Sequence, residues 1–286
     1  VGSVQMCIRD STYSLSALFE KSFHFGLDLA ASYTFGHSKS VYDGTSSVAY
    51  SNWKYNYAVD SNNPGLAYSM FDIPHRVMVS VGYRTPRYAK GFMATTVSLV
   101  YNGYVGQRYS LTMNESYYDA EKKKTVYIDY NGDGWGGNSL LYIPTEDELQ
   151  KMDFKTEEDR RKFDEWIEGD SYAKKHRGAY AMRNSNSAPW ENRVDLHVAQ
   201  DIFVLKDRGS KFQVTFDVTN FANMLNKKWG TTYTAAYNVM PLQVIGSKKG
   251  EDGNYTNTYA YNSRNTITKN DVLSRWHAQI GFKYIF

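Results

Sequence analysis

Asp129, Asn131 and Asp133 occupy alternate positions ahead of Gly134, the order in which a calcium loop offers its first oxygen ligands. Short carboxylate and amide side chains spaced this way can wrap a hard cation, and the glycine permits the sharp turn. The twelfth position of such a loop carries a bidentate glutamate; here it is Leu140, which leaves charge and coordination low. The same residues suit an Asn- and Gly-rich hairpin tip whose side chains bond their own backbone. Both readings stay open. Asp129, Asn131 and Asp133 are the candidate metal ligands, and Ca2+ is the one candidate cofactor.

Other chemistry is hard to find. His24, His75, His176, His197 and His277 fall on separate segments, and none has the spacing that puts two imidazoles on one helix face. No G-x-S-x-G elbow or phosphate-cradling loop occurs, and nothing fixes two carboxylates at a working separation. Catalysis is therefore not expected. Aromatics, by contrast, are clustered. Tyr42, Tyr50, Trp53, Tyr55 and Tyr57 crowd one stretch, and Tyr233, Tyr237, Tyr255, Tyr259 and Tyr261 another. Tyrosine gives wide amphipathic contact at small entropic cost. Tyr55, Tyr57, Tyr237 and Tyr259 are thus candidate contacts for a peptide, glycan or siderophore, the alternative being loop-on-loop packing.

The elements that position these residues announce themselves by alternation. In Arg275–Phe286 one face reads Trp276, Ala278, Ile280, Phe282, Tyr284, Phe286 and the other Arg275, His277, Gln279, Gly281, Lys283, Ile285. Successive side chains of a strand point to opposite faces. The pattern recurs over Tyr13–Phe19, Phe23–Phe35, Arg76–Arg84, Phe92–Asn102, Arg193–Val204 and Lys211–Asn220, predicting seven strands, most near the roughly 9–11 residues of a tilted membrane strand. Their connections alternate in length. Short ones lie at about 20–22, 85–90 and 206–210, and long ones at about 37–71, 105–190 and 221–270. Short turns at one end and long loops at the other are the habit of outer-membrane barrels. In the long middle loop, Thr145 to Glu148 and Thr156 to Asp159 resemble capping boxes, and Phe163, Trp166 and Ile167 share a helical spacing. Short helices packed onto the barrel rim are expected there.

Composition agrees. The 286 residues include 25 Tyr, 14 Phe and 6 Trp, yet mean hydropathy is −0.58. An apolar outer band, aromatic girdles and a polar interior give that combination. The net charge of +3, with acids and bases interspersed, argues against a nucleic-acid partner, and a single Cys7 excludes a disulfide framework. The polar-face residues Arg193, Asp195, Asp201, Asp217, Arg275 and Lys283, with His197 and His277 as hydrogen-bonding partners, are expected to form lumenal ion-pair networks, the alternative being a substrate path. With the long loops outside, the last strand ends in the periplasm, and the first begins outside. Single-chain bacterial barrels have even strand numbers, so seven strands imply others upstream. The opening VGSVQMCIRDS resembles a translated sequencing adapter, so residues 1–11 are expected to be a non-native leader and residues 12–286 the C-terminal part of a barrel.

Several segments resemble the barrel of Oar-like TonB-dependent outer-membrane receptors. Phe71-Asp72-Ile73-Pro74-His75-Arg76 is similar to a recurrent strand start. Asp129 to Gly134 followed by Leu141-Tyr142-Ile143-Pro144 resembles a family loop in which Ser139 stands where Asp is usual. Arg177-Gly178, Arg183-Asn184, Pro189-Trp190, Arg193 and Asp195 match its next run in order. Phe216 to Phe221 with Asn226 to Gly230 resembles the following strand and loop, and terminal Phe286 resembles the signal read by the barrel-assembly machinery. The resemblance implies a 22-stranded plugged barrel in the outer membrane of a Gram-negative bacterium. It implies import of a siderophore, glycan or peptide, driven by the TonB complex through a plug and TonB box outside these residues. Outer-membrane lipid and a surface lipoprotein are the other expected partners. The alternatives are a smaller barrel acting as an adhesin or surface enzyme, and a secreted carbohydrate-binding β-sandwich. A sandwich would pack its apolar faces together about 10 Å apart.

Overall fold

The computed structural model describes residues 10–204, 210–236, 238–251, 253–263 and 267–286. Seven long strands run antiparallel, each beside its chain neighbour. They are β1 (Ser11–Ser22), β2 (Leu27–Ser40), β3 (His75–Arg84), β4 (Met93–Tyr104), β5 (Glu191–Phe203), β6 (Lys211–Thr219) and β7 (His277–Ile285). All seven coincide with the alternating segments. The sheet is open, with β1 and β7 as its edges, and forms part of a barrel wall. Most of the expected leader, and the short turn between β5 and β6, lie outside the described residues; Ser11 already pairs with Lys39.

Strand pairing aligns the apolar faces into one belt. Leu27 stands opposite Tyr83, Tyr83 opposite Val97, Val97 opposite Val198, Val198 opposite Phe216, and Phe216 opposite Ile280. This belt is not sealed. Phe19 is 59% exposed and Phe282 81%, and no second sheet covers the belt among the described residues. The sandwich alternative required apolar faces turned toward each other, and its prediction fails. Aromatics crowd both margins. Tyr13 packs edge-on to Phe35 at the long-loop end, and Phe212 lies 4.8 Å from Tyr284 at the short-turn end. Rings with an apolar body and a polar tip suit the two membrane interfaces.

The opposite face carries the polar networks. Asp201, buried in β5, accepts Arg84 Nη2 at 2.7 Å, Lys211 Nζ at 2.7 Å and Gln213 Nε2 at 2.8 Å. His197 bonds Asp217, and Arg193 Nε donates to Asp195 at 3.0 Å. A buried carboxylate needs such partners, since desolvating it alone is costly.

Several boundaries shift from expectation, β2 for example running on past Phe35 to Ser40, and two of the shifts relocate a turn or loop. β1 continues to Ser22, and Phe23–Gly26 forms the turn, so β2 starts at Leu27 rather than Phe23. Gly26 sets this corner: its φ is +94°, and a Cβ there would sit 2.2 Å from the Arg84 carbonyl oxygen. β7 starts at His277, leaving Arg275 and Trp276 in the preceding loop.

The long loops are themselves folded. Strands Arg108–Asn114 and Asn238–Lys249 pair in parallel, and Tyr255–Tyr261 adds to the second. The short strands Asp153–Phe154 and Asn186–Ser187 complete this sheet. Beside it lie α1 (Glu146–Lys151) and α2 (Glu157–Gly169). Thr145 and Glu148 form a full capping box on α1, and Thr156 Oγ1 caps α2 by accepting the Asp159 amide at 3.1 Å. Phe163 and Ile167 are fully buried with Leu111, Leu141, Ile143 and Leu242. The helices thus pack into a core made by the loops, rather than against the barrel rim as the sequence reading had it. The reason is supply: the loops contain enough apolar residues to bury one another, at about 1.5–3 kcal/mol for each large side chain.

Candidate functional site

The second and third long loops form a cap at one end of the wall, and buried polar groups lock the first long loop to it. Asp72 accepts Arg108 Nη2 at 2.6 Å and Nε at 3.0 Å, the Ser38 amide at 2.6 Å and His37 Nδ1 at 3.2 Å. Arg183 donates to Asp43 Oδ2 at 2.7 Å and to the Ser40 carbonyl. Asn184, at φ +56°, donates to Asp43 and to the Tyr68 carbonyl, while its amide reaches Ser110 Oγ at 2.9 Å. Burial is the largest influence on Arg183 and draws its pKa below the ordinary arginine value, with Asp43 opposing. Losing one partner of such a pair would strand a buried charge.

A cavity of about 350 Å³ opens beside this clamp. Tyr55 and Tyr57, both singled out from sequence, line it with Asp43, Asn56, Arg108 and Arg183. Its size lies within the range of small-molecule sites. Tyr55 is 62% exposed and meets Trp135 edge-on, with ring centroids 6.4 Å apart. Lys54 Nζ stands 3.3 Å from the Trp135 ring centre, an attractive arrangement for a cation on an aromatic face. Tyr55 therefore serves packing between loops as well as lining the cavity.

Asp129, Asn131 and Asp133 do come together on one turn. Asp129 accepts the amides of Asp133 at 3.1 Å and Gly134 at 2.7 Å. Asp133 accepts Ser61 Oγ at 2.6 Å, Asn138 Nδ2 at 2.7 Å and the Trp135 amide at 2.7 Å. Burial pushes the Asp133 carboxyl up, and these hydrogen bonds outweigh it, holding the group below its ordinary value. The oxygens a cation would use thus already accept hydrogen bonds, and Leu140 is buried. Among the described residues no three His, Cys, Asp or Glu side chains converge as a metal site. The donor set fits a hairpin tip that docks the first loop through Ser61, and fits Ca2+ only if those bonds were exchanged for coordination.

Of the third-loop tyrosines, Tyr259 lines a second cavity in the cap, and Tyr237 lies outside the described residues. Phe286 follows β7 and is 96% exposed. Asp43 and Arg108 carried no sequence signal, each being a single charged residue outside any recognised motif. Asp72, Arg183 and Asn184 were visible only as members of recurring family segments. Their burial explains what those segments do: each fastens a loop.

Searches among curated proteins and solved structures give no match. A family model described as an outer membrane beta barrel domain matches residues 3–275. With the open antiparallel wall, its exposed apolar belt and its sorted connections, this shows that the chain belongs to the outer membrane beta barrel domain family.

Proposed function

We propose that this chain is part of a TonB-dependent transporter that imports a large or scarce nutrient across the outer membrane of a Gram-negative bacterium. The observation that carries the reading is the pairing of an unclosed seven-stranded wall with a large folded cap. The wall needs further strands, because in lipid an unpaired edge leaves every second backbone group without a hydrogen bond. The cap holds cavities above a polar lumen, as a receptor that captures its cargo before import requires. The order of the loop-fastening segments, from Asp72 to Asn184, supports the Oar-like assignment.

In this reading the long loops face outside and Phe286 sits at the periplasmic end, where the barrel-assembly machinery reads it. The 22-strand total, the plug and the TonB box come from residues outside these 286, and a surface lipoprotein is a candidate partner for the cap. The role is binding and translocation, with no bond made or broken. The adhesin alternative needs a small closed barrel, which the two open edges disfavour.

The test is genetic. Cells lacking the intact protein should lose growth on one sole nutrient among iron–siderophore, glycan and peptide sources, and cells lacking TonB should show the same defect. TonB should also cross-link to the intact protein. Normal growth on every source together with no TonB cross-link would contradict the proposal.

A further inference from the structure

The second cavity, about 310 Å³, lies wholly within the cap. Four tyrosines, Tyr130, Tyr142, Tyr180 and Tyr259, line it over an apolar floor that includes Leu242. Its lining holds one charged side chain, Glu148, and no Lys, Arg or His. The rings are set in two pairs. Tyr142 and Tyr180 meet edge-to-face with centroids 5.1 Å apart, and the Tyr130 and Tyr259 hydroxyls lie 3.4 Å apart. Asn257 Nδ2 donates to the Tyr130 hydroxyl at 2.8 Å, which holds that ring in place.

Glu148 is pinned as well. Its carboxylate accepts the Thr145 amide at 2.9 Å and the Tyr142 hydroxyl at 3.0 Å. The Thr145 amide bond, first, and the Tyr142 bond hold its pKa below the ordinary glutamate value, so it is ionised at neutral pH. Lys151, in the last turn of the same helix, adds a weaker downward influence but is not part of the cavity lining. The lining thus combines a hydrogen-bonded carboxylate with four tyrosine rings and contains no Lys, Arg or His. That is the chemistry that selects an organic cation, whose charge is drawn to ring faces while its methyl or methylene surface meets apolar walls.

We propose that the cap cavity is a binding site for an organic cation, such as a quaternary ammonium group or the cationic side chain of a peptide. The site goes beyond the import reading. Binding is an equilibrium property of the cap, so failure of TonB-driven uptake would leave it standing.

The test is titration calorimetry on the intact protein in detergent, with choline and its uncharged carbon isostere 3,3-dimethyl-1-butanol. Choline should bind about tenfold more tightly than the isostere, between the sizes of an exposed and a desolvated cation–aromatic contact. Tyr180→Ala should weaken choline by about tenfold, and Tyr180→Phe, which keeps the ring face, should bind like the parent. Tyr180 is half-exposed, so neither change threatens the fold, and unchanged circular dichroism would verify that. Glu148→Gln should weaken choline without affecting the isostere. Equal binding of the two ligands, no choline binding, or a Tyr180→Ala protein that binds choline like the parent would each overturn the proposal.

Discussion

In the wall, Leu15, Phe19, Ile280 and Phe282 stand 59–81% exposed; in the cap, Leu111, Leu141, Ile143 and Phe163 are sealed from solvent. The same residue types meet opposite fates in one chain. The cap is stabilised as a water-soluble domain is, by removing apolar surface from water. The wall is stabilised by its backbone ladders and by a belt that is satisfied only when lipid surrounds it. The two regions should therefore respond to different kinds of substitution, and four experiments test that contrast.

The largest effect is expected from Phe163→Ala. Emptying a sealed ring site in the cap should cost about 3–5 kcal/mol. Urea unfolding followed by hydrogen exchange in α2 should report the loss, while insertion of the wall into liposomes stays unchanged. Next comes Leu99→Arg in the middle of the belt, expected to destabilise the wall by about 2–4 kcal/mol when measured by reversible folding into liposomes. Ser98→Arg, one position along and on the lumenal face, should be close to neutral. Equal penalties at the two positions would break the distinction between the faces.

A smaller effect is expected at Thr156. Replacing this N-cap with Ala should cost about 1 kcal/mol of cap stability, read as faster exchange in the first turn of α2. The subtlest concerns pH. Glu115 is buried and donates nothing to an ion pair; its carboxylate accepts the Gly137 amide beneath the Asp129–Asp133 turn. Burial is the largest influence on it and raises its pKa above the ordinary glutamate value of 4.5. The folded cap therefore binds this proton more tightly than the unfolded chain does. The contribution is fully present below the unfolded pKa and is lost as pH rises through the folded one. Exchange protection of residues 128–139 should fall as pH is raised from the acid side through that range, after correction for intrinsic exchange rates. Glu115→Gln should abolish the dependence. The depressed Asp133 works the other way, its contribution fading only as pH drops below the ordinary aspartate range.

How much the sequence revealed follows the same division. Every wall strand was legible, because one greasy and one polar face produce a period of two that survives without knowledge of the partner strand. The cap strands were not. Arg108–Asn114 does alternate, with Tyr109, Leu111 and Met113 opposite Arg108, Ser110, Thr112 and Asn114, but at seven residues it falls short of a membrane strand and reads as part of the long middle loop; Asn238–Lys249 contains Pro241, which reads as a loop signal. The helix caps at Thr145 and Thr156 were readable because capping is a local bond between residues three apart. The clamp was not, since Arg183 and Asp43 lie 140 residues apart. The four-tyrosine cavity likewise depends on bringing residues 130, 142, 180 and 259 together, which only the folded loops accomplish.

The central claim is the direction of the belt. Nitroxide labels placed singly at positions 96–101 of β4 in the intact protein, inserted in liposomes, would test it by collision with oxygen, which concentrates in lipid, and with a polar nickel chelate, which stays in water. Labels at Val97, Leu99 and Tyr101 should favour oxygen, and those at Thr96, Ser98 and Val100 the chelate, in strict alternation. Labels at Val97, Leu99 and Tyr101 shielded from both reagents would mean the belt is an interior, and would contradict the account.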